Sequence, residues 1–270
     1  MQASTAGQQR LAEIRRQFQE DGCALIPQLL DAAGVAHCRR CFESSLDSPE
    51  KVGARFYSVQ GGEENSYFYN DATGYRGPLS LYSELLEALP ILSECCAEIW
   101  GCENVWFFGH ELFHKTGGEE DESHGRRTPF HQDTAVIPFG GEHLANLWIP
   151  LQDTPQAHSL EIIRGSHRGP CFAAKGIASV PSIKKQPAAK RKAVEPTSIR
   201  LLPAMPSLLG NSPGQRGEWD ERTTAFGAEL GDVVLLHPGC IHGGGPVSPS
   251  FPQRDTLVRD KPSRLLSACN

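Results

Sequence analysis

The chain has 270 residues, with 26 Lys and Arg against 32 Asp and Glu and a formal net charge of −6, so it offers no positive field to nucleic acid or to an anionic membrane. Met1 to Arg16 is polar, without the apolar stretch of a signal peptide, and no run of about 18 apolar residues occurs, so a soluble cytoplasmic protein with a small-molecule partner is expected. Nine irregularly spaced cysteines read as reduced thiols. All-β units of about 200 to 250 residues often fold as one domain, and residues 1–270 are expected to do so.

Leu11, Ile14 and Phe18 recur at helical spacing, and Asp21-Gly22 then leads into the apolar run Cys23-Ala24-Leu25-Ile26 closed by Pro27. A helix, a turn and a short strand follow from that pattern. Asp31 is placed to cap a second helix reaching Glu43, while Leu85, Leu89 and Leu92 form the apolar stripe of a third between Leu81 and Trp100. His37-Cys38-Arg39-Arg40-Cys41 has the spacing of half a zinc site but no second half, and reads as one helical turn with two buried thiols. Residues 8–100 therefore form a helical N-terminal part.

Residues 105–259 change to a β pattern. Val105 to Lys115, Thr128 to Ala135, Leu144 to Leu151, Leu160 to Ile163, Asp232 to His237 and Thr256 to Val258 are short segments rich in β-branched and aromatic residues. Arg259-Asp260-Lys261-Pro262 is expected to interrupt the last of them. A Pro-rich insert, residues 171–229, breaks the rhythm and carries the basic cluster Lys184, Lys185, Lys190, Arg191 and Lys192, which reads as a solvated loop face rather than an import signal. The expected fold is mainly β.

His131-Gln132-Asp133 is the most informative triplet. In an extended strand His131 and Asp133 point to one side and Gln132 to the other, so two metal ligands come from one short segment. His242, at the end of a late strand and before Gly243-Gly244-Gly245, supplies a third. Two histidines and one carboxylate on one face of an octahedron are the donor set of non-heme Fe(II) oxygenases. His237 competes for the third position, but His242 is favoured because the following glycines permit close approach to a bound group. His167 reads as part of a strand-ending turn, and His110, His114, His124, His143 and His158 as residues of the surface or the substrate mouth. Arg254, twelve residues after His242, carries a planar fork that matches a carboxylate, whereas alternation turns Arg259 to the opposite face.

Taken in order, Thr128-Pro129-Phe130-His131-Gln132-Asp133, Trp148-Ile149-Pro150-Leu151, Leu160 to His167, Gly231 to His242 and Arg254 resemble the phytanoyl-CoA dioxygenase family, over residues 8–259. That resemblance implies a double-stranded β-helix, a jelly roll of the cupin kind, with flanking N-terminal helices. It further implies Fe(II) held by His131, Asp133 and His242, with 2-oxoglutarate bound at its distal carboxylate by Arg254 and contacted by Trp148. Family members often place a hydroxyl side chain two positions past the distal histidine; Gly244 stands there, so that contact is absent or replaced.

The function expected is Fe(II)- and 2-oxoglutarate-dependent hydroxylation or desaturation of a small molecule, with release of succinate and carbon dioxide. Asp133 fills the coordination position that halogenating enzymes of this chemistry leave open, so chlorination is not expected. Two other classes compete: a jelly-roll binding module without turnover, and a zinc hydrolase using the same three residues, in which Arg254 would have no evident role. Tyr67, Tyr69 and Asn70 and the insert are candidates for the substrate wall.

Overall fold

The computed structural model describes residues 5–47, 54–57, 67–70, 90–105, 109–116, 128, 130–135, 140–172, 214 and 216–262. Helix α1 (Thr5–Asp21) turns at Gly22 into strand β1 (Cys23–Ile26). Gly22 has a φ of +75°, and a Cβ there would lie 2.3 Å from the Cys240 sulfur, so a side chain is excluded both by the backbone and by the space. Helix α2 (Ala32–Asp47) starts where the Asp31 carboxylate accepts a hydrogen bond from the Gly34 N–H at 2.8 Å, the cap anticipated from the sequence. Strands β2 (Ala54–Tyr57) and β3 (Tyr67–Asn70) were not anticipated. Helix α3 is described from Pro90 to Trp100 and buries Leu92, Cys95, Cys96 and Ile99; Leu85 and Leu89 lie outside the described residues.

The remaining strands are β4 (Gly109–Thr116), β5 (Leu144–Pro150), β6 (Leu160–Ile163), β7 (Thr223–Ala225), β8 (Val233–Leu236), β9 (His242–Gly244) and β10 (Gln253–Pro262). A short helix α4 (Glu218–Arg222) precedes β7. Among the described residues all pairings are antiparallel, in a large sheet ordered β1-β8-β5-β10-β4-β3-β2 and a small one ordered β7-β6-β9.

Strand alternation sorts the side chains into layers. Leu147 and Ile149 of β5, Val233 and Leu235 of β8 and Leu257 of β10 pack against Ile14, Phe18, Cys38, Phe42, Leu92 and Ile99 of the helices. Their neighbours Trp148, Val234, Leu236 and Val258 instead meet Leu160 and Ile162 of the small sheet. Each such burial contributes about 1.5 to 3 kcal/mol, and together they fasten helices, large sheet and small sheet in that order. A third cluster, Phe130, Ile163 and Ile241 with Phe172 and Trp219, covers the far face of the small sheet. Two facing antiparallel sheets with helices outside the larger one are the jelly roll expected.

Three local expectations need correction. The segment from Thr128 to Ala135 is not a strand: it makes a single bridge at His131 and then tightens into a 3-10 turn over Asp133–Ala135, closed by the Ala135 N–H on the Gln132 carbonyl at 3.1 Å. His242 does not end a strand in a turn but begins β9. Finally, Arg259 to Pro262 do not interrupt β10, which runs to Pro262 opposite Leu144 of β5. Proline is tolerated there because the ladder ends with it.

Residues 173–213, with the basic cluster, and His124 lie outside the described residues. Among the described residues Cys23, Cys171 and Cys240 are in no disulfide, and no helix is long and apolar enough to cross a membrane.

Candidate metal centre

His131 and His242 face each other because their backbones do. Each N–H donates to the other's carbonyl at 2.9 Å, a hydrogen-bonded antiparallel pair that sets the two imidazoles side by side with centroids 4.3 Å apart. The 3-10 turn then brings Asp133 back to the same side, with Oδ1 3.3 Å from His131 Nε2 and Oδ2 3.6 Å from His242 Nε2. One ligand atom from each of the three lies within 4.8 Å of the others. Sequence alternation thus reached the right side for Asp133 through the wrong local structure. Gln132 points away, donating to the Gly239 carbonyl at 2.7 Å and accepting from the Phe172 N–H at 2.8 Å.

The protonation states suit a cation. His242 Nδ1 lies 3.0 Å from the Cys240 carbonyl, which assigns the proton to Nδ1 and leaves the Nε2 lone pair facing Asp133. Burial lowers the His242 pKa to about 4, so its ring is neutral near pH 7. For Asp133 burial pushes the pKa up, but His242, His131 and the Asn146 amide together overcome it and hold the group at about 2. A carboxylate with a neutral imidazole is what metal binding requires.

Asn146 is a residue that sequence reasoning missed. It projects from β5 and donates through Nδ2 to Asp133 Oδ2 at 2.5 Å. The available signal was its place as the lone polar residue in the run from Leu144 to Leu151, two positions from Trp148 and therefore on the same face. Trp148 stands there, 4% exposed, paired in register with Val258 and Val234.

The other histidines have different partners. His237 accepts the Gly239 N–H on Nδ1 at 2.9 Å and donates from Nε2 to the Gly141 carbonyl at 3.0 Å, so both ring nitrogens are engaged; burial lowers its pKa to about 4. The structure therefore brings His242, not His237, to His131 and Asp133. His167 packs between Cys240 and His237, with its pKa lowered by burial. His114 pairs with Asp255 at 2.6 Å, His143 stacks on Trp100 and His158 on Phe251. In α2, Cys38 and Cys41 are buried in the helical core and His37 Nδ1 accepts from Arg40 at 2.9 Å, so the half-zinc spacing is a helix turn. Of Tyr67, Tyr69, Asn70, His110 and Arg259 only the backbone is described.

Arg254 is 3% exposed and sits at a basic corner beside β9. Its Nη1 donates to the carbonyls of His158 and of Gly245, the latter at 3.1 Å. Register places Lys115 of β4, 6% exposed, directly opposite it. Lys115 Nζ donates to Thr128 Oγ1 at 2.5 Å. A Cβ at Gly244 would lie 2.7 Å from Arg254 Nη2, 2.8 Å from Thr128 Oγ1 and 3.1 Å from Lys115 Nζ, so these three groups converge on the position expected to hold a hydroxyl side chain. Lys115 and Thr128 had not been singled out, because only the strand register reveals what stands opposite Arg254.

Known structures share this fold at low sequence identity. SnoN, an epimerase from nogalamycin biosynthesis solved with Fe3+, alpha ketoglutarate and nogalamycin RO, superposes with a TM-score of 0.60 at 16% identity, covering 94% of this chain and 84% of that one. AviO1 from Streptomyces viridochromogenes Tue57 gives 0.58 at 18% identity over 96% and 97% of the two chains. EctD from S. alaskensis, solved with 2-oxoglutarate and 5-hydroxyectoine, gives 0.59 at 18% identity over 93% and 76%. No curated protein matches the chain significantly in sequence. The family model for phytanoyl-CoA dioxygenase matches residues 18–254, from the end of α1 to the buried arginine of β10 and across the whole histidine and aspartate site, and the chain belongs to that family.

Proposed function

We propose that the protein is an Fe(II)- and 2-oxoglutarate-dependent dioxygenase that hydroxylates or desaturates a small molecule, releasing succinate and carbon dioxide. The observation that carries this reading is the convergence of His131, Asp133 and His242, whose ligand atoms lie within 4.8 Å of one another, with His242 on the strand whose Gly244 lies against Arg254. Two imidazoles and one carboxylate form the donor set typical of non-heme Fe(II), and a buried guanidinium beside them suits an acidic cosubstrate. A zinc hydrolase would use the same triad but would leave Arg254 without a task.

In this reading His131, Asp133 and His242 would hold the iron, Arg254 would grip the distal carboxylate of 2-oxoglutarate, and Trp148 would line the cosubstrate's flank. Iron and 2-oxoglutarate together supply the oxidation of an unactivated C–H bond by dioxygen. The protein's own part is to fix donor positions and exclude water. Asn146 holds Asp133 in place, and Trp148, Val258, Leu160 and Ile162 wall the space between the sheets with hydrocarbon. Because Asp133 occupies the third protein position, chloride has no vacancy and oxygenation or desaturation is expected in its presence.

The test is spectroscopic and then catalytic. Anaerobic Fe(II) and 2-oxoglutarate are expected to give a metal-to-ligand absorption band, and oxygen is expected to yield succinate. His131→Ala, Asp133→Ala and His242→Ala should each abolish both, whereas His237→Ala should retain most of the signal. Arg254→Ala should keep the metal and weaken 2-oxoglutarate by at least about tenfold, since hydrogen bonds to charged groups contribute about 1.5 to 3 kcal/mol each. A wild-type protein that binds zinc and hydrolyses esters but shows no band would sink the proposal. A band without succinate would leave a binding module. Since similar folds are described as an epimerase and a carbocyclase, product analysis should cover rearranged as well as oxygenated products.

A further inference from the structure

We infer that the hydroxyl missing at Gly244 is supplied by Thr128, and that Lys115 acts beside Arg254 as a second cation, so that residues 115, 128 and 254 together form the receptor for the cosubstrate's distal carboxylate. This inference rests on the function proposed above. Thr128 is held against β9 by its own backbone, its N–H donating to the Gly244 carbonyl at 3.0 Å. That pairing brings its hydroxyl to 2.8 Å from where a Gly244 side chain would begin. The role a side chain at position 244 would perform is thus taken by the adjacent segment, and glycine is what leaves room for it.

Electrostatics points the same way. Arg254 and Lys115 stand directly opposite each other on neighbouring strands, both buried, with Nη2 and Nζ turned toward Gly244. A carboxylate in van der Waals contact with the side-chain-free face of Gly244 would accept from both cations. Spacing agrees as well: His242 and Gly244 lie on one face of β9, two residues and so about 6.6 Å apart. A five-carbon keto diacid chelated at one end and held at the other spans such a gap.

The inference makes a counterintuitive prediction. Gly244→Ser installs the hydroxyl that relatives carry, yet its Cβ would press on Arg254, Thr128 and Lys115, so 2-oxoglutarate should bind at least about tenfold more weakly. Thr128→Val and Lys115→Met should each cost a similar factor, and Thr128→Ser should restore most of the loss in Thr128→Val. The measurement is calorimetric titration of the full-length, Zn(II)-loaded protein with 2-oxoglutarate and with 2-oxobutyrate, which lacks the distal carboxylate. The preference for 2-oxoglutarate should collapse in Thr128→Val and Lys115→Met, while the 2-oxobutyrate affinity and the Zn(II) affinity stay within about twofold. If both variants keep the wild-type preference, or if Gly244→Ser binds 2-oxoglutarate more tightly, the inference is wrong while the proposed function stands. If the wild-type protein shows no preference between the two keto acids, the receptor does not exist and the cosubstrate assignment falls with it.

Discussion

At the scale of single residues, the site depends on a side chain that does not touch the metal position. Asn146 donates to Asp133 Oδ2, which biases the carboxylate to present Oδ1 on the His131 side. Groups that orient a ligating carboxylate typically contribute a factor of about 10 to 100 in metal affinity. Asn146→Ala should therefore weaken metal binding by that factor without unfolding the protein, as read by competition against a chromophoric chelator. Asn146→Asp should lose more affinity at pH 5 than above neutral pH, because a second carboxylate beside Asp133 raises the pKa at which the pair releases its protons, and a proton held there competes with the metal. Unchanged affinity in Asn146→Ala would mean that the turn over Asp133–Ala135 orients the carboxylate by itself. The cluster of His131, Asp133 and His242 was legible because His131 and Asp133 sit close together in a recognisable order. Lys115 and Thr128 were not legible, and Asn146 only through its polarity in an apolar run, since what assigns them is pairing between segments far apart in the chain, with Asn146 opposite Leu236, Lys115 opposite Arg254 and the Thr128 N–H on the Gly244 carbonyl.

At the scale of elements, β9 explains both a success and a failure. The three glycines after His242 were expected to admit a bound group, and they do admit close neighbours, but mostly the protein's own backbone. A Cβ at Gly243 would lie 2.6 Å from the Thr128 carbonyl oxygen, and one at Gly245 would lie 2.4 Å from that of Ser159. These are contacts with main chain, which cannot swing aside as a side chain can. Gly245→Ala should accordingly destabilise the fold by about 1 to 3 kcal/mol or more through overpacking, lowering the melting temperature and detaching β9 from β6. Amide hydrogen exchange would localise the effect: loss of protection at Gly245, whose N–H donates to the Ser159 carbonyl at 2.8 Å, without loss at β8. A melting temperature equal to wild type would refute the crowding argument. The strand expected from Thr128 to Ala135 failed for a related reason. Its alternation is real up to Gln132, but among the described residues no strand pairs with it past the His131 bridge, where the chain tightens into a 3-10 turn instead.

At the scale of the molecule, the jelly roll was legible because β5 and β8 are short, mostly apolar runs, buried along their whole length with side chains alternately facing the helices and the small sheet, and the helices because their apolar stripes match the large sheet they cover. The attachment of the insert was not legible. Described residues of the insert are pinned to the two side chains that bracket His131 on the side away from the metal site: Phe172 N–H donates to Gln132, and the Arg216 guanidinium lies 4.8 Å from the Phe130 ring centroid. Arg216, 1% exposed, also pairs with Glu161 of β6 at 3.1 Å. Removing one member of a buried ion pair costs about 3 to 5 kcal/mol, because the remaining charge is left desolvated, whereas replacing both with apolar groups is often close to neutral. Arg216→Met should therefore destabilise the protein strongly in urea unfolding, and adding Glu161→Leu should recover much of the loss. Because Phe130 adjoins His131, the single variant should also loosen metal binding, and the double variant, which still presents a flexible apolar side chain to the Phe130 ring, should restore it in part. If the two single substitutions simply add in the double variant, Arg216 and Glu161 are not coupled, and the insert is held to the metal-site segment by Gln132 and the apolar cluster of Phe130, Phe172 and Trp219 instead.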